Sequence, residues 1–292
     1  QRPAIDAAAT LTPDGTGWAH STVAVAVARQ NGKTHLARLR ILAGLFLWGE
    51  RLIVATAQNR DIALETFRAV VETIDAHPWL SDEVAAVRRA NGQESVELHN
   101  GARYTLKAPT PGGARGLAGV DLVLMDEARE QRTEAAYAAF AYTQQAATSP
   151  QLWLTSNAGD DQSVVWNRLR AAALAQTEPG PLCWLEWSAA EGCALDDPAA
   201  WVDSNPALGY RLTPARLAAR VATDPLDTVR TEMLCQHVAA LSAPWPDGRW
   251  DACADLEATE TLPAGGAVVV DLPPARDHAA AVHGPRRGPA RR

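Results

Sequence analysis

"VAVAVARQNGKTHLARL", Val23 to Leu39, runs from an apolar, strand-like stretch through Gly32-Lys33-Thr34 into a helix-like one. A phosphate-binding loop follows the pattern G-x-x-x-x-G-K-[ST], in which backbone N–H groups and a helix N-terminus cradle the phosphates. The second half of that pattern is present, but Val27 stands where the first glycine belongs. A bare Gly-Lys-Thr is common. What gives this one weight is the strand before it and the helix after it, the context such a loop requires. Lys33 would then reach the β/γ-phosphates and the Thr34 hydroxyl would bind Mg²⁺. The chain holds only two lysines, Lys33 and Lys107, so a lysine at this position is less easily accidental.

The surrounding chain sets the frame. Its 292 residues are 47% hydrophobic and 21% charged, enough for one large domain or two of average size. A net charge of −7 excludes a uniformly basic nucleic-acid coat, although a local basic groove depends on distribution rather than on the total. The cysteines Cys183, Cys193, Cys235 and Cys253 form no C-x-x-C pair and no zinc-like cluster with histidine, and read as free thiols of a reducing cytosol. The sequence opens with no signal peptide. The apolar stretch 36–48 is broken by Arg38 and Arg40 and is too short to span a bilayer. These features predict a soluble intracellular protein.

After residue 20, apolar runs alternate with helical periods. Strands are predicted at 22–28, 51–57, 119–128, 151–159 and 182–188, and helices after the loop, at 60–77 and over 162–175. A hairpin is predicted at 94–108, turning at Asn100-Gly101. This alternation predicts an α/β fold, a mostly parallel sheet covered by helices on both faces. Past Ser188 the text changes to short helices punctuated by Pro198, Pro206, Pro214 and Pro225. Residues 243–266 are rich in Pro, Gly and acids, like a linker. "AVVVD" (267–271) begins another strand, and a basic Pro/Gly tail closes the sequence. The predicted organisation is an ATPase-like domain at 1–188, a helical linker subdomain at 189–242, a linker at 243–266, and the start of a further domain at 267–292.

Two further stretches carry chemistry. In "LVLMDEA", Asp126 ends an apolar strand, where it can hold a magnesium ion, and Glu127 can orient and deprotonate an attacking water. Alone, the pair would be an ordinary solvated acidic strand end; downstream of a phosphate loop it favours hydrolysis over transfer to a substrate hydroxyl. "LTSNAG" places Thr155, Ser156 and Asn157 at the carboxyl edge of the sheet, where ligands bind in open α/β folds. There they can sense the γ-phosphate, or simply form a polar turn.

"ARQNGKT", "LVLMDEA" and "LTSNAG", in this order, resemble the ATPase of phage terminase large subunits, motors that package DNA into capsids. In that family the loop commonly reads Arg-Gln-x-Gly-Lys-[ST] without the first glycine. The resemblance implies that Arg29, Gln30, Asn31, Gly32, Lys33 and Thr34 bind ATP, with Mg²⁺ on Thr34 and Asp126. It implies that Gln1 contacts adenine, and that Arg115, in "TPGGARGLAGVD", reaches a neighbouring subunit's nucleotide as a trans arginine finger. Arg29 is the rival for that role in cis. Asp271 resembles the first metal-binding aspartate of the terminase nuclease, a ribonuclease-H-like domain. After it only Asp277 remains, and neither a further strand nor a further acid is predicted. The nuclease is therefore expected to be truncated and DNA cleavage absent. The resemblance further implies double-stranded DNA, a portal protein and a terminase small subunit as partners, a homo-oligomeric ring, no membrane, and the host cytoplasm as location. Two other readings stand beside it. One is a different P-loop ATPase acting on nucleic acid, although a helicase of that shape normally carries a second motor domain, and no second loop or acid pair is read in this sequence. The other is an inactive prophage remnant.

Overall fold

The computed structural model describes residues 2–58 and 60–238, together with the backbone of two strands, Ala267–Asp271 and Ala280–Gly284. The chain divides into two compact units, Gln1–Ser242 and Ala243–Arg292.

The first unit is built on an eight-stranded sheet of order β3-β4-β5-β2-β6-β7-β1-β8. The strands are β1 (Thr22–Val27), β2 (Leu52–Ala57), β3 (Val84–Arg88), β4 (Ser95–Leu98), β5 (Arg103–Leu106), β6 (Leu122–Asp126), β7 (Gln151–Ser156) and β8 (Leu182–Trp187). From β5 across to β8 every neighbouring pair is parallel; β3, β4 and β5 form an antiparallel edge. The predicted hairpin is β4–β5. β3 was not predicted: "VAAVR" is short and half-buried, and its strand state comes from pairing with β4 rather than from its own pattern.

Alternate residues of the same strands enter two different cores, because successive side chains of a strand point to opposite faces. Val23, Val25, Ile53, Leu122 and Leu124 pack with Leu36, Ile41 and Leu45 of α2 (Lys33–Phe46) and with Phe67, Val70 and Ile74 of α3 (Arg60–Asp75). Ala24, Val54, Val123, Met125 and Leu154 pack on the other side. There they meet Phe140 of α5 (Glu134–Ala141) and Val165, Trp166 and Leu169 of α6 (Val164–Leu174). Both faces are covered, which is why these strands read as continuous apolar runs. Two short helices complete this part: Arg2–Ala8 (α1), which the sequence reading did not assign, and Pro78–Ser81 (α4).

Residues 189–238 add three helices, α7 (Pro198–Ser204), α8 (Pro214–Thr223) and α9 (Leu226–Thr228), the last running into a π-helical turn, Val229–Met233. Proline opens α7 and α8, because at a first helical position its missing N–H has no partner to lose. Ala200, Trp201, Leu217, Val229, Met233 and Leu234 form a small core of their own.

In the second unit, β9 (Ala267–Asp271) pairs antiparallel with β10 (Ala280–Gly284). The expectation that no strand follows Asp271 is therefore corrected. "AAVHG" carries one β-branched residue, and main-chain pairing with β9 makes it a strand. Among the described residues, no helix is long and apolar enough to cross a membrane.

Candidate phosphate-loop site

Parallel register brings the three chemistry-bearing stretches to one edge of the sheet. Val25 lies beside Thr155, Ala26 beside Ser156, and Asp126 beside Thr155. The carboxyl ends of β1, β6 and β7 are thus level with one another, at the edge where the loop leaves β1.

Val27 stays within β1, paired with Trp187 of β8, and its φ is not positive. No glycine is needed there, which accounts for the variant entry of the loop. The turn is made later, by Gln30 at φ 61° and Gly32 at φ 88°. Asn31 braces it from within. Its Nδ2 donates to the carbonyl oxygens of Ala28 (3.2 Å) and Arg29 (3.0 Å) and to Asn205 Oδ1 (2.9 Å). Its Oδ1 accepts from the backbone N–H of Ala207 at 2.9 Å. The loop ends at the N-terminus of α2, which Gly32 caps without a side-chain acceptor, so the first-turn N–H groups keep their capacity for an anion.

Lys33 folds back over this loop, and its Nζ donates to Val27 O (3.1 Å) and to Asn157 Oδ1 (3.0 Å). Burial pushes its ammonium below the ordinary lysine value, against the pull of Glu127 and Asp126. Thr34 follows in the same helical turn and is exposed.

Asp126 ends β6. Its Oδ1 accepts from Thr155 Oγ1 and from the backbone N–H of Glu127, the latter at 2.9 Å. Glu127 adopts the left-handed region, φ 52°, at the start of a 3₁₀ turn, Ala128–Glu130. Such a conformation in a non-glycine residue costs on the order of 1–3 kcal/mol and is held only where the surroundings demand it. The described residues contain three non-glycine positions with positive φ, and Gln30 and Glu127 are two of them; Cys235 is the third. Burial pushes the Glu127 carboxyl above the usual carboxylate range, against the opposing charge of Lys33. A carboxylate so placed is a stronger base.

Three contributors to the site were not found in the sequence. Asn205 anchors the loop as described. Arg129 lies with Nε 3.8 Å from Glu127 Oε2 and 3.3 Å from Glu130 Oε1. Its backbone N–H donates to Ser156 Oγ at 3.2 Å. Glu232, in the π-helical turn, accepts from Arg29 Nε (2.9 Å), from a terminal nitrogen of Arg129 (2.6 Å) and from Asn157 Nδ2 (2.8 Å). Its main-chain carbonyl also accepts from the Arg29 N–H at 2.9 Å. Burial opposes the charge of Arg129, but the carboxylates of Glu232, Glu127 and Glu130 together outweigh it and hold the guanidinium above its ordinary value. Beside the loop, a cavity of about 680 Å³ is lined by Arg29, Gln30, Arg216, Leu217, Glu232 and Met233, among others.

Other predicted positions are not part of this cluster. Arg115 is exposed in the Gly-rich segment, and its side chain has no hydrogen bond or ion pair among the described residues. Gln1 lies outside the described residues. Asp271 is placed only as backbone of β9; its side chain, like Asp277, lies outside them. Among the described residues, no three His, Cys, Asp or Glu side chains come together as a metal cage. The donors present, a hydroxyl at Thr34 and a carboxylate at Asp126, fit Mg²⁺, which takes one or two carboxylates and completes its shell with phosphate and water.

A mostly parallel sheet with the Gly32-Lys33-Thr34 loop after β1, an acid pair at the end of β6 and polar residues at the end of β7 has the fold of a P-loop NTPase. More narrowly, the fold is that of the ATPase domain of phage large terminases. The large terminase of bacteriophage HK97 matches with a TM-score of 0.67 at 22% identity, over 77% of this chain and 47% of its own. The large terminase ATPase domain of Thermus phage P74-26 matches with a TM-score of 0.53 at 16% identity, over 74% of this chain and 88% of its own. The large terminase of the thermophilic bacteriophage D6E, in complex with ADP, matches with a TM-score of 0.50 at 11% identity, over 74% of this chain and 48% of its own. The chain thus spans about half the length of the HK97 and D6E proteins. No protein-family model and no curated protein matches the sequence.

Proposed function

We propose that this chain is the ATP-hydrolysing part of a phage DNA-packaging motor of the large-terminase type. The observation that carries the reading is the convergence of Lys33, Asn157, Asp126 and Glu127 on one sheet edge, beside a loop whose helix N-terminus is open to an anion. In this reading Lys33 and the loop N–H groups hold the β- and γ-phosphates, and Thr34 and Asp126 hold Mg²⁺, which neutralises charge on the phosphates. Glu127 takes the proton of a water that attacks the γ-phosphorus as the bond to the ADP oxygen breaks. The D6E neighbour is a complex with ADP, which supports a nucleotide as the ligand in this reading.

Double-stranded DNA as the moved substrate, a portal protein and small subunit as partners, a homo-oligomeric ring and the host cytoplasm as location belong to the same proposal. So does Arg115 as a trans finger, its exposed side chain, unpaired among the described residues, being available to a neighbouring subunit. The test is phosphate release by the purified chain with Mg²⁺-ATP, with and without linear duplex DNA. Stimulation by DNA supports the motor reading; turnover indifferent to DNA reduces it to a P-loop ATPase of another kind.

A further inference from the structure

Glu232 does something that neither the loop nor the acid pair explains. One carboxylate gathers donors from three separate stretches: Arg29 of the loop, Arg129 after the acid pair, and Asn157 at the end of β7. Two of these lie against residues of the hydrolytic site. Asn157 is itself bonded to Lys33, and Arg129 lies 3.8 Å from Glu127. Lys33 reaches toward the β/γ-phosphates and Glu127 faces the attacked γ-phosphorus, so Asn157 and Arg129 flank the place of the terminal phosphate. A charge-assisted hydrogen bond made to Glu232 is not available to a phosphate oxygen, and two anions at one set of donors repel one another.

We propose that Glu232 is a positioning residue that competes with the terminal phosphate of ATP for Arg29, Arg129 and Asn157, so that a triphosphate, and not a diphosphate, releases the helical segment 198–233. The proposal rests on the phosphate-loop reading above. Glu232 belongs to the π-helical turn that closes this segment, and Val229 and Met233 on either side of it are core residues of the same segment. Losing these side-chain bonds therefore removes ties that hold the turn, and the helices packed on it, to the sheet edge. The 680 Å³ cavity gives the side chain room to swing. Arg216 lines that cavity and has no ion pair among the described residues, so it offers a second cation for the carboxylate to meet. The γ-phosphate is thereby read by a mechanical element through a swap of anions at shared donors.

The test uses the full chain and two readouts. Glu232→Gln keeps the shape and removes the charge. It is expected to tighten ATPγS binding roughly tenfold while leaving ADP binding unchanged, the scale of one charge-assisted hydrogen bond. In the unaltered protein, hydrogen exchange over 198–233 is expected to rise with Mg²⁺-ATPγS and not with Mg²⁺-ADP. That measurement stands even if the variant fails to fold. Affinities for the two nucleotides that move together in Glu232→Gln, or exchange that responds equally to both, would reduce Glu232 to a structural ion pair and overturn the proposal. A distinct outcome, an unaltered protein that binds neither nucleotide, overturns the phosphate-loop reading and this proposal with it.

Discussion

Lys33 and Asn157 are joined by a 3.0 Å hydrogen bond, Nζ to Oδ1, across 124 positions of sequence. The loop lysine is thus held by the end of β7 and by Val27 O, pointing along the sheet edge instead of into solvent. Lys33→Ala removes this cation and is expected to abolish ATP binding in a fluorescent-nucleotide titration. Unchanged affinity would dismiss the phosphate loop, and with it the ATPase.

Glu127→Gln separates chemistry from binding. The amide keeps the size of the side chain and cannot take a proton, so nucleotide affinity is expected to persist while kcat falls by about 10²–10⁴. Normal single-turnover hydrolysis in this variant would mean that another group activates the water.

Arg115 and Arg29 differ in a way that decides how to tell them apart. Arg29 is engaged by Glu232 within its own chain; Arg115 is exposed and, among the described residues, unpaired. Turnover per subunit is expected to rise with protein concentration, and Arg115→Ala to remove only that rise, since an arginine finger is worth ~10³–10⁵ in rate. Concentration-independent turnover would assign the role to Arg29 in cis.

A different prediction concerns stability. Arg40, 1% exposed, is paired with Glu50 at 2.8 Å and lies near the rings of Trp18, Trp48 and Trp153. Glu50→Ala leaves that cation buried without its carboxylate, for which about 3–5 kcal/mol of lost stability is expected from urea unfolding. A loss under about 1 kcal/mol would show that the tryptophan faces and Gln151 suffice.

His237 sets a pH dependence. Burial, helped by Arg170, pushes its imidazole down to about 4, and its Nε2 is buried without a hydrogen-bond partner among the described residues. The unfolded chain, near 6.5, binds the proton more readily, so stability is full above about pH 6.5 and falls as pH drops toward 4. The loss is expected to reach roughly 3 kcal/mol. His237→Asn should flatten the pH 4–6.5 limb of the melting curve relative to the unaltered chain; identical limbs would refute the assignment.

How much of this was legible in the sequence differs by element. The parallel strands carry their burial in their composition, because both faces are covered: "TVAVAV" and "LVLM" admit few other readings. β3 and β10 were not legible, since each becomes a strand by pairing with a neighbour rather than by its own pattern. Within the site, Lys33, Asp126, Glu127 and Asn157 were found because each sits at a fixed offset from a strand end or from a loop glycine. Asn205 and Glu232 lie in helical text with no such marker.

The sequence by itself determined the order of the parallel strands and of the long helices between them, the loop, and the acid pair, because local propensity and apolar periodicity are properties of neighbouring residues. It also determined that the first loop glycine is replaced by valine. Only the tertiary structure decided that this is harmless, since Val27 keeps extended backbone and the positive φ falls on Gln30 and Gly32. Only the tertiary structure brought Glu232 from the helical segment onto Arg29, Arg129 and Asn157. A carboxylate finds its donors by distance in space, and no spacing along the chain records a contact made when a helical segment folds back over the end of a sheet.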